Sequence, residues 1–330
     1  MLETLIRLIV ILSALLMAMM IHELGHLVVG KLSGYRLDSF TVSLLHIYKE
    51  EQMIKFKMRK LTPFNLLIGH CGMITDQDFK NFNPFWFNFG GILFNLLMWI
   101  FSWVITENIQ LNDFLMLCLR AIMLLNLTGA IMNLLPLKMF GQQTDGYNMI
   151  RGFHPIDRRS MYILNILESK LKKGKRYREF DIDLLFVDSG EKMNRFYVAY
   201  LVMIYALHLM DKGEHEGAMK ELNRLDLKLL PYEWRCEVKC EMLYDYLVRR
   251  CDETKYQTLY EDEELKDFLQ RSEATPKRVL AAYTWIVLGD KDKGERLINE
   301  AMTLAQRLEG GDQAMELDSI AELKACQNKV

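Results

Sequence analysis

The residues with the clearest capacity for chemistry are His22-Glu23-Leu24-Gly25-His26. Two histidines four positions apart lie on one face of a helix, so both imidazoles can reach one metal ion. The glutamate beside the first histidine is placed to take a proton from water activated at that ion. The setting sharpens the signal. The pentapeptide sits inside residues 4–29, TLIRLIVILSALLMAMMIHELGHLVV, an otherwise apolar run. Two imidazoles and a carboxylate cost on the order of several kcal/mol at membrane depth unless they have partners. The surrounding Leu, Met and Val side chains offer none.

A catalytic site built on two histidines needs a third protein ligand and an open coordination position. Asn133-Leu134-Leu135-Pro136 and then Asp145-Gly146 supply a candidate. Pro136 ends a helix and lets the chain turn back to present a carboxylate. Asp145 is the one acidic residue in 126–150; without the histidine pair it reads as an ordinary turn residue before glycine.

Three apolar segments must position these groups: about 4–31, 84–105 and 113–136. Each is long enough to cross a hydrocarbon core of about 30 Å. The first is too long, and too polar at its end, for a cleaved signal peptide. Lys/Arg flank the segments unequally. Residues 31–83 hold eight and residues 151–178 hold nine, whereas the 106–112 connection holds none. The positive-inside bias places 31–83 and everything after the third span in the cytoplasm, with the N-terminus outside. Within 31–83, Ile54, Phe56 and Met58 alternate with Lys55, Lys57 and Arg59, which predicts a cytoplasmic, membrane-associated β-hairpin over about 37–60.

Whole-chain averages conceal this division. The chain has 330 residues, net charge −2, 51% hydrophobic residues and mean hydropathy +0.00. Yet 21 of the first 150 residues are charged, against 63 of the last 180. A single soluble domain, a disordered chain and a nucleic-acid binder are therefore excluded. The six cysteines form no CxxC pair and no framework, which excludes a disulfide scaffold; Cys236 and Cys240 read as ordinary helix residues.

His22-Glu23-x-x-His26 in a first span, with Asn133-x-x-Pro136 and Asp145-Gly146 after a third, resembles the site-2 protease family of intramembrane zinc metalloproteases. Gly91-Ile92-Leu93-Phe94-Asn95 resembles the family's Gly-x-x-x-Asn element, with Ile92 where many members have proline. The resemblance covers roughly residues 4–150. It departs from the pattern in a longer loop between Pro136 and Asp145. It implies one zinc ion per chain held by His22, His26 and Asp145. Glu23 would be general base and then proton donor to the leaving amine. Asn95 and Asn133 would lie near the site, against substrate or intermediate. His70, in Gly69-His70-Cys71-Gly72, reads as a loop histidine, and Cys71 beside it as an inert thiol.

Residues 151–190 form a basic juxtamembrane linker in this reading, and 191–330 a cytosolic array of amphipathic helices. Phe196–Met210 and Glu214–Leu230 pair around Gly213, and Pro276–Leu288 and Lys293–Leu308 pair around Gly289. The pattern resembles a tetratricopeptide-type α-solenoid with a poorly preserved middle copy at 232–271. His46, His154, His208 and His215 show no ligand spacing and read as surface or capping residues.

The expected protein is thus a multi-pass bacterial membrane enzyme. It is a zinc endopeptidase cutting membrane-embedded substrates: a single-span regulator, a signal-peptide remnant or a peptide precursor. Its helical domain recruits substrate or binds a cytosolic protein or peptide. The alternative is a catalytically idle membrane adaptor in which the helical domain does the binding; intact His22, Glu23, His26 and Asp145 disfavour it. Gly90-Gly91 permits close helix approach, which serves a homodimer or packing within the chain equally well.

Overall fold

The computed structural model describes residues 2–50, 53–59, 69–75, 77–139, 142–185, 195–249, 253–308 and 310–327. The chain is mostly helical and divides into two compact units, Met1–Tyr162 and Ile163–Val330.

Three helices frame the first unit: α1 (Leu2–Leu32), α2 (Pro84–Asn108) and α3 (Asp113–Leu134). All three are long and apolar enough to cross a membrane. Their starts follow local chemistry. Asn83 caps α2 by accepting from the Phe85 N–H, with Pro84 at the first helical position, where its missing N–H costs nothing. Asn112 caps α3 by accepting from Leu115 N–H at 2.9 Å. Helix α1 crosses α2 at glycines: a Cβ on Gly90 would stand 2.5 Å from the Gly25 carbonyl oxygen, so neither position admits a side chain. Gly90-Gly91 is therefore used for packing within the chain.

Between α1 and α2 lies a four-stranded antiparallel sheet in the order β3-β2-β1-β4. Its strands are β1 (Tyr35–Val42), β2 (Leu45–Glu50), β3 (Met53–Met58) and β4 (Gly69–Thr75). The hairpin expected over 37–60 is thus the outer part of a larger sheet. Its β2–β3 register pairs Tyr48 with Lys55, and Glu51 and Gln52, between the two strands, lie outside the described residues. Strand β4 carries His70 and Cys71, so the expected loop histidine stands on a strand, opposite Thr41 of β1. With two glycines in Gly-His-Cys-Gly-Met-Ile-Thr, this strand has little intrinsic β-preference, and its pairing with β1 and packing on α1 secure it.

After α3 come a two-residue-strand hairpin, β5 (Lys138–Met139) with β6 (Gln142–Gln143), and helix α4 (Asp145–Gly152). Helix α5 (Pro155–Lys172) contains the boundary between the units. Residues 151–190, expected as a basic linker, thus include the end of α4 and the whole of α5. Ile163, Leu167, Tyr177, Phe180 and Leu185 within this stretch are buried.

The second unit continues through a short 3-10 turn (Tyr177–Glu179), α6 (Ile182–Leu185), α7 (Phe196–Asp211), α8 (His215–Asn223) and α9 (Tyr232–Arg249). It ends in α10 (Glu253–Glu261), α11 (Glu263–Leu269), α12 (Ala274–Ile286), α13 (Lys291–Ala305) and α14 (Gly310–Gln327). Gly213 and Gly289, the aligned turn glycines, both have positive φ, 82° and 69°, a backbone region that glycine enters without steric cost. Gly294 lies against Trp285, the close contact expected of a helix pair. The expected second helix of the first pair ends at Asn223, because Asp226 caps a separate 3-10 turn, Leu227–Leu229.

Cys236 and Cys240 are packed in the core with Leu243, Phe268 and Ile298, as ordinary helix residues. Of the histidines expected as surface or capping residues, His208 is buried, whereas His215 is half-buried at the first position of α8. His208 is fully buried because most of α7 is enclosed, and the Tyr177 carbonyl satisfies its Nδ1 at 2.7 Å. His215 faces Asp245 at 2.9 Å and Arg249 at 2.6 Å.

Candidate metal centre

His22 and His26 fall one turn apart on α1, on the face turned toward α2 and α3. Both are buried, at 8% and 6% exposure. Asp145 reaches them from the first residue of α4. Its placement depends on Thr144. The Thr144 hydroxyl donates to the Leu135 carbonyl at 2.6 Å and accepts from Leu137 N–H at 3.0 Å. The same oxygen caps α4. The longer loop after Pro136 is thereby drawn into the β5–β6 hairpin, which returns the chain to the end of α3. Gly146 completes the turn: a Cβ there would stand 3.0 Å from the Asn133 carbonyl oxygen and closer still to that of Leu134.

Three ligand atoms converge. His22 Nε2 lies 3.1 Å from His26 Nε2 and 3.0 Å from Asp145 Oδ2, and His26 Nε2 lies 3.4 Å from that oxygen. A tetrahedral zinc site with bonds of about 2.0–2.1 Å separates its ligand atoms by about 3.3–3.4 Å. The observed triangle fits within a few tenths of an ångström. It is the one group among the described residues whose His, Cys, Asp or Glu ligand atoms cluster closely enough for a metal ion.

Hydrogen bonding at the far side of each ring completes the fit. His26 Nδ1 lies 2.8 Å from the Phe87 carbonyl, which can only accept, so Nδ1 carries the proton and a neutral ring directs the Nε2 lone pair at the triangle. His22 Nδ1 lies 3.2 Å from the Asn95 amide, whose Oδ1 is buried without a partner. Rotating that amide by half a turn sets Oδ1 to accept from Nδ1–H and fixes the matching tautomer of His22. Asp145 Oδ2 is likewise buried with no hydrogen-bond donor. Three lone-pair atoms facing one another in a buried space repel unless a cation lies among them.

Helix α2 forms the wall behind the imidazoles. A Cβ on Gly91 would stand 2.6 Å from both His22 Cε1 and His26 Nε2. Asn95 sits one turn farther along and is buried at 2% exposure. Asn133 is placed differently: its amide donates to the Gly129 carbonyl of its own helix, and its backbone oxygen borders Gly146.

Glu23 is buried between α1 and β4. Its carboxylate accepts a hydrogen bond from the Cys71 backbone N–H, and a Cβ on Gly69 would stand 2.5 Å from its Oε1. Burial and the nearby Glu23 charge push the Cys71 thiol up to about 12, so it stays protonated and unreactive. Thr144 and the Phe87 carbonyl carry no motif of their own. A sequence marks them only through the turns and contacts they serve.

Comparison of the chain with known protein families, with curated proteins and with solved structures returns no match, so the family resemblance rests on the motif residues themselves.

Proposed function

We propose that the chain is an intramembrane zinc endopeptidase of the site-2 protease type. It spans the membrane with α1, α2 and α3, its N-terminus outside and its second unit in the cytoplasm. The observation that carries this reading is the buried triangle of His22, His26 and Asp145, with Glu23 beside the first histidine. The many exposed aliphatic side chains on the three helices support a bilayer setting, since a soluble surface seldom carries such extended apolar area.

His22, His26 and Asp145 would hold one zinc ion. When bound, zinc lowers the pKa of water toward about 7 and polarises a carbonyl oxygen. The chain's own residues do the rest. Phe87 and Asn95 hold the two imidazoles in the ligating tautomer and orientation. Glu23 takes the proton from the attacking water on Oε1 or Oε2 and delivers it to the leaving amine nitrogen. The Cys71 N–H and Gly69 keep its carboxylate in place for both transfers.

A scissile bond must be unwound from helix to extended chain before attack. The sheet offers a template for an extended segment. The strand beside Glu23 is β4, at one edge of the order β3-β2-β1-β4; the β3 edge, in the hairpin expected over 37–60, lies three strands away. A substrate strand adding to β4 would pass the site by main-chain pairing.

The test compares membrane and secreted peptides from cells carrying the wild-type chain or Glu23→Gln. Precursors of single-span regulators or secreted peptides accumulate with Glu23→Gln. Equal processing of a genuine substrate by both refutes the protease reading and leaves the adaptor alternative.

A further inference from the structure

The second unit holds a cavity of about 570 Å³ that the proteolytic reading does not use. One wall is aromatic: the rings of Tyr200 on α7 and Trp234 on α9 stack with centroids 3.9 Å apart. Leaving Glu168 aside, the other walls carry four carboxylates, Glu237, Glu241, Asp312 and Glu316, against one guanidinium, Arg278. Arg278 is already committed: Nη2 donates to Glu241 at 2.5 Å and Nε donates to Glu316 at 2.7 Å. Asp312 accepts from the Tyr177 hydroxyl at 2.8 Å. The cavity therefore keeps a surplus of negative charge.

Two further observations select the occupant. These carboxylates do not converge as metal ligands do, because the single such cluster among the described residues is the membrane triad. A divalent cation is thus a poor fit, and an extended organic cation a good one. Arg278, on the cavity wall and 1% exposed, has an Nη1 with no hydrogen-bond partner, which calls for an acceptor such as a peptide carbonyl. Cation, flat apolar stem and carbonyl occur together in a lysine or arginine residue of a polypeptide. Aromatic faces beside carboxylates are the surroundings such a side chain prefers.

We infer that this cavity is a docking site for a basic peptide segment. A Lys or Arg side chain lies along Trp234 and Tyr200, with its charge directed to Glu237 and Asp312. Burial and the neighbouring Glu241, Glu273 and Asp312 push the Glu237 carboxyl up to about 7, so a cation placed beside it favours its ionised form. The site is independent of zinc and of Glu23.

The test uses the full chain in detergent micelles and a capped hexapeptide of alternating alanine and lysine, titrated by calorimetry and tryptophan fluorescence. The peptide binds the wild-type chain. Glu237→Gln and Tyr200→Leu, on different helices, each weaken it about tenfold or more, while the exposed Glu295→Gln does not. Acetylating the lysines abolishes binding. The inference is overturned if millimolar peptide does not bind, or if the acetylated peptide binds as tightly. It is equally overturned if Glu237→Gln and Tyr200→Leu both match wild type in chains that melt normally, or if spermidine binds as tightly as the peptide.

Discussion

Gly91→Ala is a small substitution with a calculable effect on the candidate metal centre. Its methyl carbon would stand 2.6 Å from His22 Cε1 and His26 Nε2 and 2.7 Å from His22 Nε2, where ordinary contact begins near 3.4 Å. Relief therefore takes a displacement of about 0.8 Å, the difference between 3.4 and 2.6, in a packed interior that yields little. Metal–ligand distances tolerate only about 0.2 Å. The imidazoles cannot give way without weakening their bonds to Phe87 and Asn95. Losing such orientation costs about 10–100-fold in metal affinity, or roughly 1.4–2.7 kcal/mol. The assay is competition for zinc against a chromophoric chelator, with the full chain in detergent micelles. Gly217→Ala is the control, because its Cβ would meet Leu209 at an ordinary 3.5 Å; its zinc affinity stays at the wild-type value. Gly91→Ala chains that hold zinc as tightly as wild type would refute the account of α2 as the wall of the site.

Three further outcomes follow from particular contacts. Asn95→Leu leaves His22 Nδ1 without a partner and lowers zinc affinity about 10–100-fold in the same competition assay. Arg278→Met strands Glu241 and Glu316 in the second unit and destabilises it by about 3–5 kcal/mol, read as the fall in its denaturation midpoint. Glu237 titrates at a raised pKa in the folded chain, so folding is favoured while it is protonated. That contribution is complete below about 4.5 and lost as pH rises through about 7. Melting temperatures of the second unit between these pH values should therefore fall less steeply in Glu237→Gln than in wild type.

Much of the first unit is legible from residue order. Hydropathy places the three long apolar helices within a few residues, since helix ends follow from Asn83, Pro84, Asn112 and Pro136, whose side chains act locally. The histidine pair is legible because a helix turns every 3.6 residues and brings His22 and His26 to one face. Asp145 can be nominated as the lone carboxylate in its segment, but its position depends on Thr144, whose hydroxyl bridges to Leu135 and Leu137 across the hairpin. Strand β4 escapes pattern reading because its stability is non-local, arising from pairing with β1 some thirty positions earlier. The burial of His208 escapes for the same reason: its partner is the Tyr177 carbonyl, and no spacing along α7 announces it. The cavity of the second unit draws its walls from α5, α7, α9, α12 and α14, so its charge balance exists only after folding.

Metal analysis of the full chain, purified in detergent after growth with ample zinc, tests the central claim most directly. The account predicts one zinc ion per chain in wild type and in Glu23→Gln, and little in His22→Ala, His26→Ala or Asp145→Ala. Wild-type chain that carries no zinc, or Asp145→Ala and His26→Ala chains that retain it fully, would contradict it.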